Sequence, residues 1–121
     1  MKDFIDLEVW KIGRELANQV YSLTKQFPKD EMFGLTSQIR RSAVSVPSNI
    51  AEGSGRFSKK ESLQFFYIAR GSLYELETQL YLALDQKYIT ESEFTETKQN
   101  IEKAKKMLNG LIAYFKKETS H

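Results

Sequence analysis

The sequence predicts an all-α protein whose single domain, residues 1–121, is an antiparallel up-down bundle of four helices. Apolar residues recur every three or four positions along most of the chain, and the alternation that is typical of strands is absent. Proline occurs only at Pro28 and Pro47, so few positions interrupt a helix. No linker or internal repeat divides the 121 residues, a length that suits one domain with one core.

The first helix is predicted over residues 6–27. Asp6 is expected to cap it, because its carboxylate can accept from the free amides of the first turn. Gly13 and Ala17 lie on one face and would let a second helix approach closely. Pro28 cannot continue the helix and turns the chain.

The second helix is predicted over residues 36–53, and a short turn of helix can precede it at residues 29–33. Pro47 removes an amide donor and collides with the preceding turn, so we expect a kink near Ala43. The Gly-Ser-Gly segment at residues 53–55 is expected to end the helix in the left-handed conformation. The core stripe comprises Ile39, Ala43, Val46 and Ile50, extended by Leu35 and Phe57.

Two capping boxes, in which a Ser or Thr precedes a Glu by three residues, predict where the last two helices begin. The first box, at residues 58–61, opens a helix that we expect to end near residue 86. The second, at residues 90–93, opens a helix that we expect to end near residue 117. Their core stripes are Phe66, Ala69, Leu73, Leu76, Leu80 and Leu84, and then Phe94, Ile101, Ala104, Leu108, Leu111, Ile112 and Phe115.

The first and third helices carry more apolar surface than one core requires, and apolar side chains beside the core face of the second helix widen its apolar arc. The additional side chains are Val44, Pro47, Ala51, Tyr67, Ile68, Tyr74, Tyr81 and Leu82. A helix at the surface of a monomeric bundle needs an apolar arc of about 100°. The excess predicts a homo-oligomer; the alternative is that the large tyrosines lie flat on the surface of a monomer.

Charge is balanced overall but not along the chain. The net charge of +2 comes from 18 basic and 16 acidic residues, which by itself does not indicate a nucleic-acid-binding protein. Between residues 37 and 60, however, five cations accompany a single anion, Glu52. These cations are Arg40, Arg41, Arg56, Lys59 and Lys60. Such a run is either a solvated surface or a binding site for phosphate.

A line of polar side chains follows the second helix, about a third of a turn from its core stripe. Its members are Gln38, Arg41, Ser45, Asn49, Glu52 and Arg56. Basic and amide side chains in a line can hold a phosphate backbone or the acidic groups of a partner. The binding hypothesis assigns phosphate contacts to Arg40, Arg41 and Arg56, assistance to Lys59 and Lys60, and base contacts or ordering of the arginines to Gln38 and Asn49.

The same polar line also fits an internal network. Glu52 can pair with Arg56, and Ser45 or Ser48 can bond carbonyls that Pro47 frees. Both interpretations can hold together.

Adjacent arginines on a helix point about 100° apart. One of Arg40 and Arg41 should therefore face solvent or a ligand, while the other meets a neighbouring helix or subunit. Arg70, Glu75 and Glu77 on the third helix are candidate ion-pair partners.

Catalytic chemistry has little support in the sequence. There is no cysteine, and the only histidine is the terminal His121, which leaves no Ser-His pair and no His- or Cys-based metal site. A pair formed by Glu52, Glu75 or Glu77 is the one candidate for acid–base work. We therefore expect a non-enzymatic protein without cofactor, metal or small-molecule substrate.

The apolar runs are only a few residues long, far from the roughly 20 that a membrane span needs. Acidic residues near the N-terminus replace the apolar stretch of a signal peptide. The absence of cysteine fits a reducing compartment. These features predict a cytoplasmic protein that does not bind membranes.

One segment is more specific than any of these patterns. Residues 35–55, LTSQIRRSAVSVPSNIAEGSG, closely resemble the central signature of the bacterial four-helix bundle proteins encoded in intervening sequences of 23S rRNA genes, often labelled ribosomal-protein-like. The resemblance extends to LEVW at residues 7–10, FPKDE at 27–31 and GSLYELE at 71–77, with Phe65 and Ala69, and so spans nearly the whole chain.

This resemblance implies a four-helix bundle that forms ring-shaped homo-oligomers, with a pentamer as the expected form. A related branch is the accessory protein of diversity-generating retroelements, which is similar in fold and partners a reverse transcriptase and nucleic acid. The leading hypothesis is therefore an oligomeric bundle that associates with RNA or a ribonucleoprotein. The alternative is a protein-interaction scaffold that does not bind nucleic acid.

Overall fold

The computed structural model describes residues 3–119 of the chain. Its four helices are α1 (Glu8–Thr24), α2 (Leu35–Ser54), α3 (Lys59–Asp85) and α4 (Glu91–Thr119). Each helix packs against the next one in the chain, and α4 packs back against α1. Because the connections are short, consecutive helices run antiparallel, and the predicted up-down four-helix bundle is confirmed. None of the helices in this described part has the length and apolarity that a membrane span requires.

The core is built from the stripes predicted for α2, α3 and α4. Its fully buried members include Ile39, Ala43, Val46, Ile50, Phe66, Ala69, Leu73, Leu76, Leu80, Ile101, Ala104 and Leu108. Each of the larger side chains among them contributes about 1.5–3 kcal/mol when it leaves water, and each alanine contributes less. Phe57 contradicts its prediction, because its side chain is completely exposed instead of extending the α2 stripe. Phe66 and Phe115, with ring centroids 4.9 Å apart, already fill the core at this end.

The start of α1 differs from the prediction. Asp6 lies in a separate 3-10 turn, Phe4–Asp6, and Leu7 occupies the N-cap position without a side-chain capping bond. The backbone of the turn explains this, since the amide of Asp6 bonds the carbonyl of Asp3 and the amide of Leu7 bonds the carbonyl of Phe4. The helix therefore begins at Glu8.

The close approach of a second helix to α1, which we predicted from the small residue Gly13, is confirmed, and the second helix is α2. A Cβ atom on Gly13 would lie 3.3 Å from Val46 Cγ1 and 3.5 Å from Pro47 Cβ. Pro47 lies inside α2, which is helical from Leu35 to Ser54. The kink near this proline stays a prediction.

The two glycines at the end of α2, Gly53 and Gly55, do not have the predicted left-handed conformation. Gly55 follows the helix with φ −93° and ψ 2°, and none of the glycines in residues 3–119 has a positive φ. The left-handed ending is therefore wrong. Gly53 is instead required by packing, because a Cβ atom there would lie 2.5 Å from Cε1 of Phe66 and 3.0 Å from the carbonyl oxygen of Ser62.

Side-chain caps fix the starts of α3 and α4. Ser58 Oγ accepts from the amide of Glu61 at 3.1 Å. At α4 the box is reciprocal: Thr90 Oγ1 accepts from the Glu93 amide at 3.1 Å, and Glu93 Oε1 accepts from the Thr90 amide at 2.9 Å. The bond from the Thr90 amide is the main cause that lowers the pKa of Glu93, and hydrogen bonds with the side chains of Gln26 and Thr90 lower it further.

A polar link joins two loops at one end of the bundle. The hydroxyl of Tyr88, after α3, donates to Glu31 Oε2 at 2.7 Å, and Glu31 Oε1 accepts from the amide of Leu35 at 3.1 Å. The Tyr88 bond, followed by the Leu35 amide, lowers the pKa of Glu31. The same bond raises the pKa of Tyr88 to about 12. The link therefore ties the α1–α2 connection to the α3–α4 connection.

The α3–α4 seam explains why three exposed tyrosines lie off the core stripe. Cations of α4 cover them: Lys116 lies 5.8 Å from the Tyr67 ring centroid, Lys105 lies 4.6 Å from Tyr74, and Lys98 lies 5.2 Å from Tyr81. Lys105 also pairs with Glu77, and both side chains are mostly buried. Burial opposes the charge of Lys105, but its hydrogen bonds to Glu77 and Glu102 outweigh this and raise its pKa.

We expect Gly53→Ala to destabilise the bundle by about 1–3 kcal/mol, because the added methyl group overpacks the buried Phe66 ring. Urea unfolding followed by far-UV circular dichroism measures the change.

Gly110→Ala is the matched control for Gly53→Ala. A Cβ atom at Gly110, on the exposed face of α4, meets no atom within 4 Å. Removing an exposed helical glycine should stabilise the protein by about 0.5–1 kcal/mol. Equal stabilities for the two variants would contradict the packing role of Gly53.

Candidate nucleic-acid interface

The residues predicted to bind nucleic acid separate into two groups at opposite ends of α2. Gln38, Arg40 and Arg41 belong to the first half of the helix, whereas Arg56 follows its last turn. Thirteen residues of helix separate Arg41 from Ser54, which corresponds to about 20 Å along the axis, and Arg56 lies two residues beyond. The structure therefore does not bring the predicted residues into one compact site.

In the first group the two adjacent arginines diverge, as predicted. Arg40 Nε donates to Thr24 Oγ1 at 2.8 Å, and its guanidinium lies 4.8 Å from the ring centroid of Tyr21, both on α1. Arg41 and Gln38 are exposed. The partner of Arg40 is thus α1, and the candidate ion pairs with α3 do not form: Arg70 donates to Asn109 instead.

The middle of the polar line is an internal network. Asn49 Nδ2 donates to the carbonyl oxygen and to the hydroxyl of Ser45, at 2.8 and 2.9 Å. Ser72 on α3 donates to the same hydroxyl at 2.8 Å. Asn49 and Ser45 are half-buried, so this part of the line joins α2 to α3.

The second group forms a surface that we call the cationic end. It consists of Arg56, Lys59 and Lys60 in and after the α2–α3 connection, with Lys116 and Lys117 in the last turn of α4. The elements meet because Lys59 Nζ lies 4.6 Å from the ring centroid of Phe115. Three carboxylates, Glu52, Glu61 and Glu118, accompany these five cations in the sequence, so this end carries a net excess of two positive charges.

Aromatic rings position the cations at this end. The guanidinium of Arg56 lies 4.4 Å from the ring centroid of Phe65 and bonds Glu52 Oε2 at 2.7 Å. The Arg56–Glu52 pair that the sequence predicted is thus present, but it is exposed, with 40% and 56% of the two side chains accessible. Exposed pairs of this kind contribute about 0–1 kcal/mol. Water, salt or a phosphate can therefore replace Glu52 at little energetic cost.

Sequence reasoning missed one residue of the cationic end. Phe57 lies between Arg56 and Ser58 with its whole side chain exposed. Its helical spacing from the α2 stripe suggested burial, but α2 ends at Ser54, three residues earlier. The glycine at position 55 and the capping serine at position 58 bracket Phe57, and this signal could have placed it in a loop.

A groove between α1 and α2 is the second surface that the sequence did not specify. Its volume is about 500 Å³, and its walls are Trp10, Arg14, Ala17, Asn18 and Tyr21 on α1 with Val44, Pro47, Ser48 and Ala51 on α2. The exposed apolar residues predicted beside the core face of α2 thus line this groove. The close contact of Gly13 with Val46 and Pro47 sets the spacing of its walls.

The carboxylates considered for acid–base chemistry do not converge. Glu52 pairs with Arg56, and Glu77 pairs with Lys105 across the α3–α4 seam. Within residues 3–119, no cluster of three or more His, Cys, Asp or Glu side chains could hold a metal ion. His121 lies outside the described residues.

Comparisons with known proteins agree with this architecture. A profile of the 23S rRNA-intervening sequence protein family matches residues 5–110. The crystal structure of a protein with unknown function from the S23 ribosomal protein family, from Bacteroides thetaiotaomicron, is similar with a TM-score of 0.80. That protein is 26% identical to this chain, and the match covers 86% of this chain and 97% of the other. A search of curated proteins finds no match. The relation to the retroelement accessory protein stays a prediction.

We expect Arg40→Ala to lower the free energy of unfolding by about 1–2 kcal/mol, since it removes a charged hydrogen bond to Thr24 and the contact with Tyr21. Arg41→Ala, at the exposed neighbour, should stay within about 0.5 kcal/mol of the wild type. Urea unfolding of both variants measures the difference. Equal effects would contradict the structural role of Arg40.

Proposed function

The chain belongs to the 23S rRNA-intervening sequence protein family, and from this membership we propose that it is a non-enzymatic, homo-oligomeric helical bundle that associates with RNA or a ribonucleoprotein. The cationic end is the observation that carries the proposal. The description of the structural relative as a member of the S23 ribosomal protein family supports an RNA-related role. The separate ion pairs of Glu52 and Glu77 support a function other than catalysis.

The chemistry of the cationic end suits a phosphate backbone. Arg56 presents a planar guanidinium with several donors, which matches phosphate oxygens well. Lys59 and Lys60 add two cations on the first turn of α3. Ring contacts hold Arg56 and Lys59 in place, and the Arg56–Glu52 pair is exposed and weak enough for a phosphate to replace Glu52. These three residues are the phosphate contacts of the proposal.

The other predicted residues take separate roles. Arg41 and Gln38 are exposed near the start of α2 and form a second contact, separated from Arg56 by most of the length of α2. Arg40 supports the α1–α2 pair through Thr24, and Asn49 supports the α2–α3 pair through Ser45. We therefore leave Arg40 and Asn49 out of the proposed contacts.

Self-association is the second part of the proposal. The groove between α1 and α2 exposes Val44 with 40% of its surface accessible, and the outer face of α3 exposes Ile68 and Leu82 with 51% and 46% accessible. These two apolar surfaces belong to different helices, so a contact between them is heterologous and closes into a ring if the rotation permits. The family resemblance favours a pentamer. A ring would repeat the cationic end and strengthen the weak attraction of one subunit.

A protein-interaction scaffold without RNA is the alternative function. The groove favours it, because apolar walls formed by Trp10, Tyr21 and Val44 can accept a protein partner as well as a second subunit. Salt separates the alternatives, since phosphate binding weakens steeply with ionic strength and an apolar interface does not.

We expect a fluorescently labelled rRNA-type hairpin to bind at about 50 mM salt and to lose roughly 20-fold in affinity at about 200 mM, if each subunit neutralises three phosphates. The double variant Arg41→Glu/Arg56→Glu should abolish binding because it places carboxylates at both proposed contacts. Fluorescence anisotropy measures both effects, and circular dichroism verifies that the helical content is retained.

The control for this charge reversal is Lys103→Glu/Lys106→Glu, on the exposed face of α4. It changes the net charge equally but leaves α2 and the cationic end intact. Binding that survives the α2 reversal, or that both double variants abolish alike, would contradict the assigned contacts. Absence of binding at either salt concentration would favour the scaffold.

We expect light scattering to show an oligomer of the 14.1 kDa chain at high micromolar concentration. Val44→Glu in the groove and Leu82→Glu on α3 should each reduce its mass, since both bury a charge at the proposed interface. Gln99→Glu, on the exposed side of α4, is the control and should leave the mass unchanged.

A mixture of the Val44→Glu and Leu82→Glu variants distinguishes a heterologous from an isologous interface. In a heterologous contact, the intact α3 face of the Val44→Glu variant can still bind the intact groove of the Leu82→Glu variant. The mixture then forms a dimer of two different subunits. A clean 14.1 kDa monomer of the wild type would contradict self-association altogether.

A further inference from the structure

Phe57 is exposed to an unusual degree for a phenylalanine. The accessible surface of the residue is 107% of the reference value for a fully exposed phenylalanine. The core beneath it has no room, because Phe66 packs against Phe115 and closes over Gly53. The ring therefore points away from the bundle at a connection of four residues between α2 and α3.

The surroundings of Phe57 are cationic. Arg56 precedes it, and Lys59 and Lys60 follow it after the capping Ser58. Arg56 is held against Phe65, and Lys59 is held against Phe115 at the end of α4. The exposed ring of Phe57 thus lies between Arg56 and Lys59, two cations whose positions are held by contacts with other aromatic rings.

We propose that Phe57 is a stacking platform for an unpaired base, and that the cationic end binds a single-stranded or looped segment of RNA in preference to a duplex. The inference rests on the proposed RNA association and specifies the form of RNA that is bound. Arg56, Lys59 and Lys60 hold the phosphates on either side of the stacked nucleotide. Bases inside a duplex cannot present a free face to Phe57, whereas unpaired bases can.

Charge favours an RNA strand over a protein partner at this position. An apolar protein contact would bring the cations beside Phe57 out of water without compensation. A nucleotide supplies both halves of the match, since one sugar joins a charged phosphate to a flat aromatic base. The other fully exposed phenylalanine lacks this match: Phe33, with 96% of its surface accessible, follows Asp30 and Glu31.

The experiment measures the anisotropy of a labelled, unstructured RNA strand of about 15 nucleotides, alone and annealed to its complement, with the full chain. We expect Phe57→Ala to bind the single strand about 5- to 150-fold more weakly, the range that corresponds to loss of one stacked base. Its affinity for the duplex should change less than twofold. Phe33→Ala is the matched control, with the same truncation at an equally exposed ring, and should bind both forms like the wild type.

Phe57→Trp adds a direct readout of stacking. The chain has a single tryptophan, Trp10, which lies in the α1–α2 groove. If adding the single strand changes the fluorescence emission of the Phe57→Trp variant but not that of the wild type, the change reports on position 57. We expect the new emission to be quenched by the single strand and the affinity to be retained.

Several outcomes would overturn the inference. If the wild type binds RNA but Phe57→Ala binds the single strand equally well, the stacking role is wrong while the proposed function stands. An equal loss of affinity for Phe33→Ala would also refute it, because an exposed ring without neighbouring cations would then have the same effect. A changed oligomer mass for Phe57→Ala in light scattering would refute it as well, because the ring would then be a subunit contact. If the wild type binds neither form of RNA, the proposed function fails together with the inference.

Discussion

The bundle depends on how closely α2 lies against the helices on either side of it. On one side a hydrogen atom at Gly13 faces Val46 and Pro47, and on the other a hydrogen atom at Gly53 faces the ring of Phe66. Any larger side chain at either glycine would separate the helices or displace a buried group. Because both contacts involve the same helix, they fix its position, and every polar residue along α2 is placed as a result.

The exposed surfaces follow from the same packing. Since Phe66 and Phe115 fill the core at the end of α2, the next aromatic residue, Phe57, remains outside among cations. Pro47, which is part of the Gly13 contact, also lines the groove between the two helices. The cationic end proposed for RNA therefore lies at one end of the bundle, with Arg41 and Gln38 as a second contact near the start of α2, and the surfaces proposed for self-association lie along its sides. A ring and a bound strand are compatible with each other.

Cations in this protein are positioned largely by aromatic rings. Lys59 lies over Phe115 and Arg40 over Tyr21, and Arg56 lies over Phe65 while it also pairs with Glu52. Lysines of α4 cover a row of tyrosines on α3. A ring orders a long basic side chain while leaving its charge intact, whereas a carboxylate orders the side chain by neutralising it. This difference matters for a chain with a net charge of only +2. Its few excess cations keep their potential at the surface where a phosphate would meet it.

The sequence by itself determined the four helices, the core stripes, the Thr90–Glu93 capping box and the close approach at Gly13, because these depend on residues a few positions apart or on the size of one side chain. It misplaced the start of α1 at Asp6, since backbone bonds of a preceding turn replaced the carboxylate cap. It also wrongly predicted that Phe57 is buried, because the helical spacing of apolar residues continues to position 57, whereas α2 itself ends at Ser54. Which arginine faces α1, which amide joins α2 to α3 and which cations meet at one end are decided by tertiary structure alone. Each of these depends on the distance between helices that are far apart in the chain, and helical periodicity carries no information about that distance.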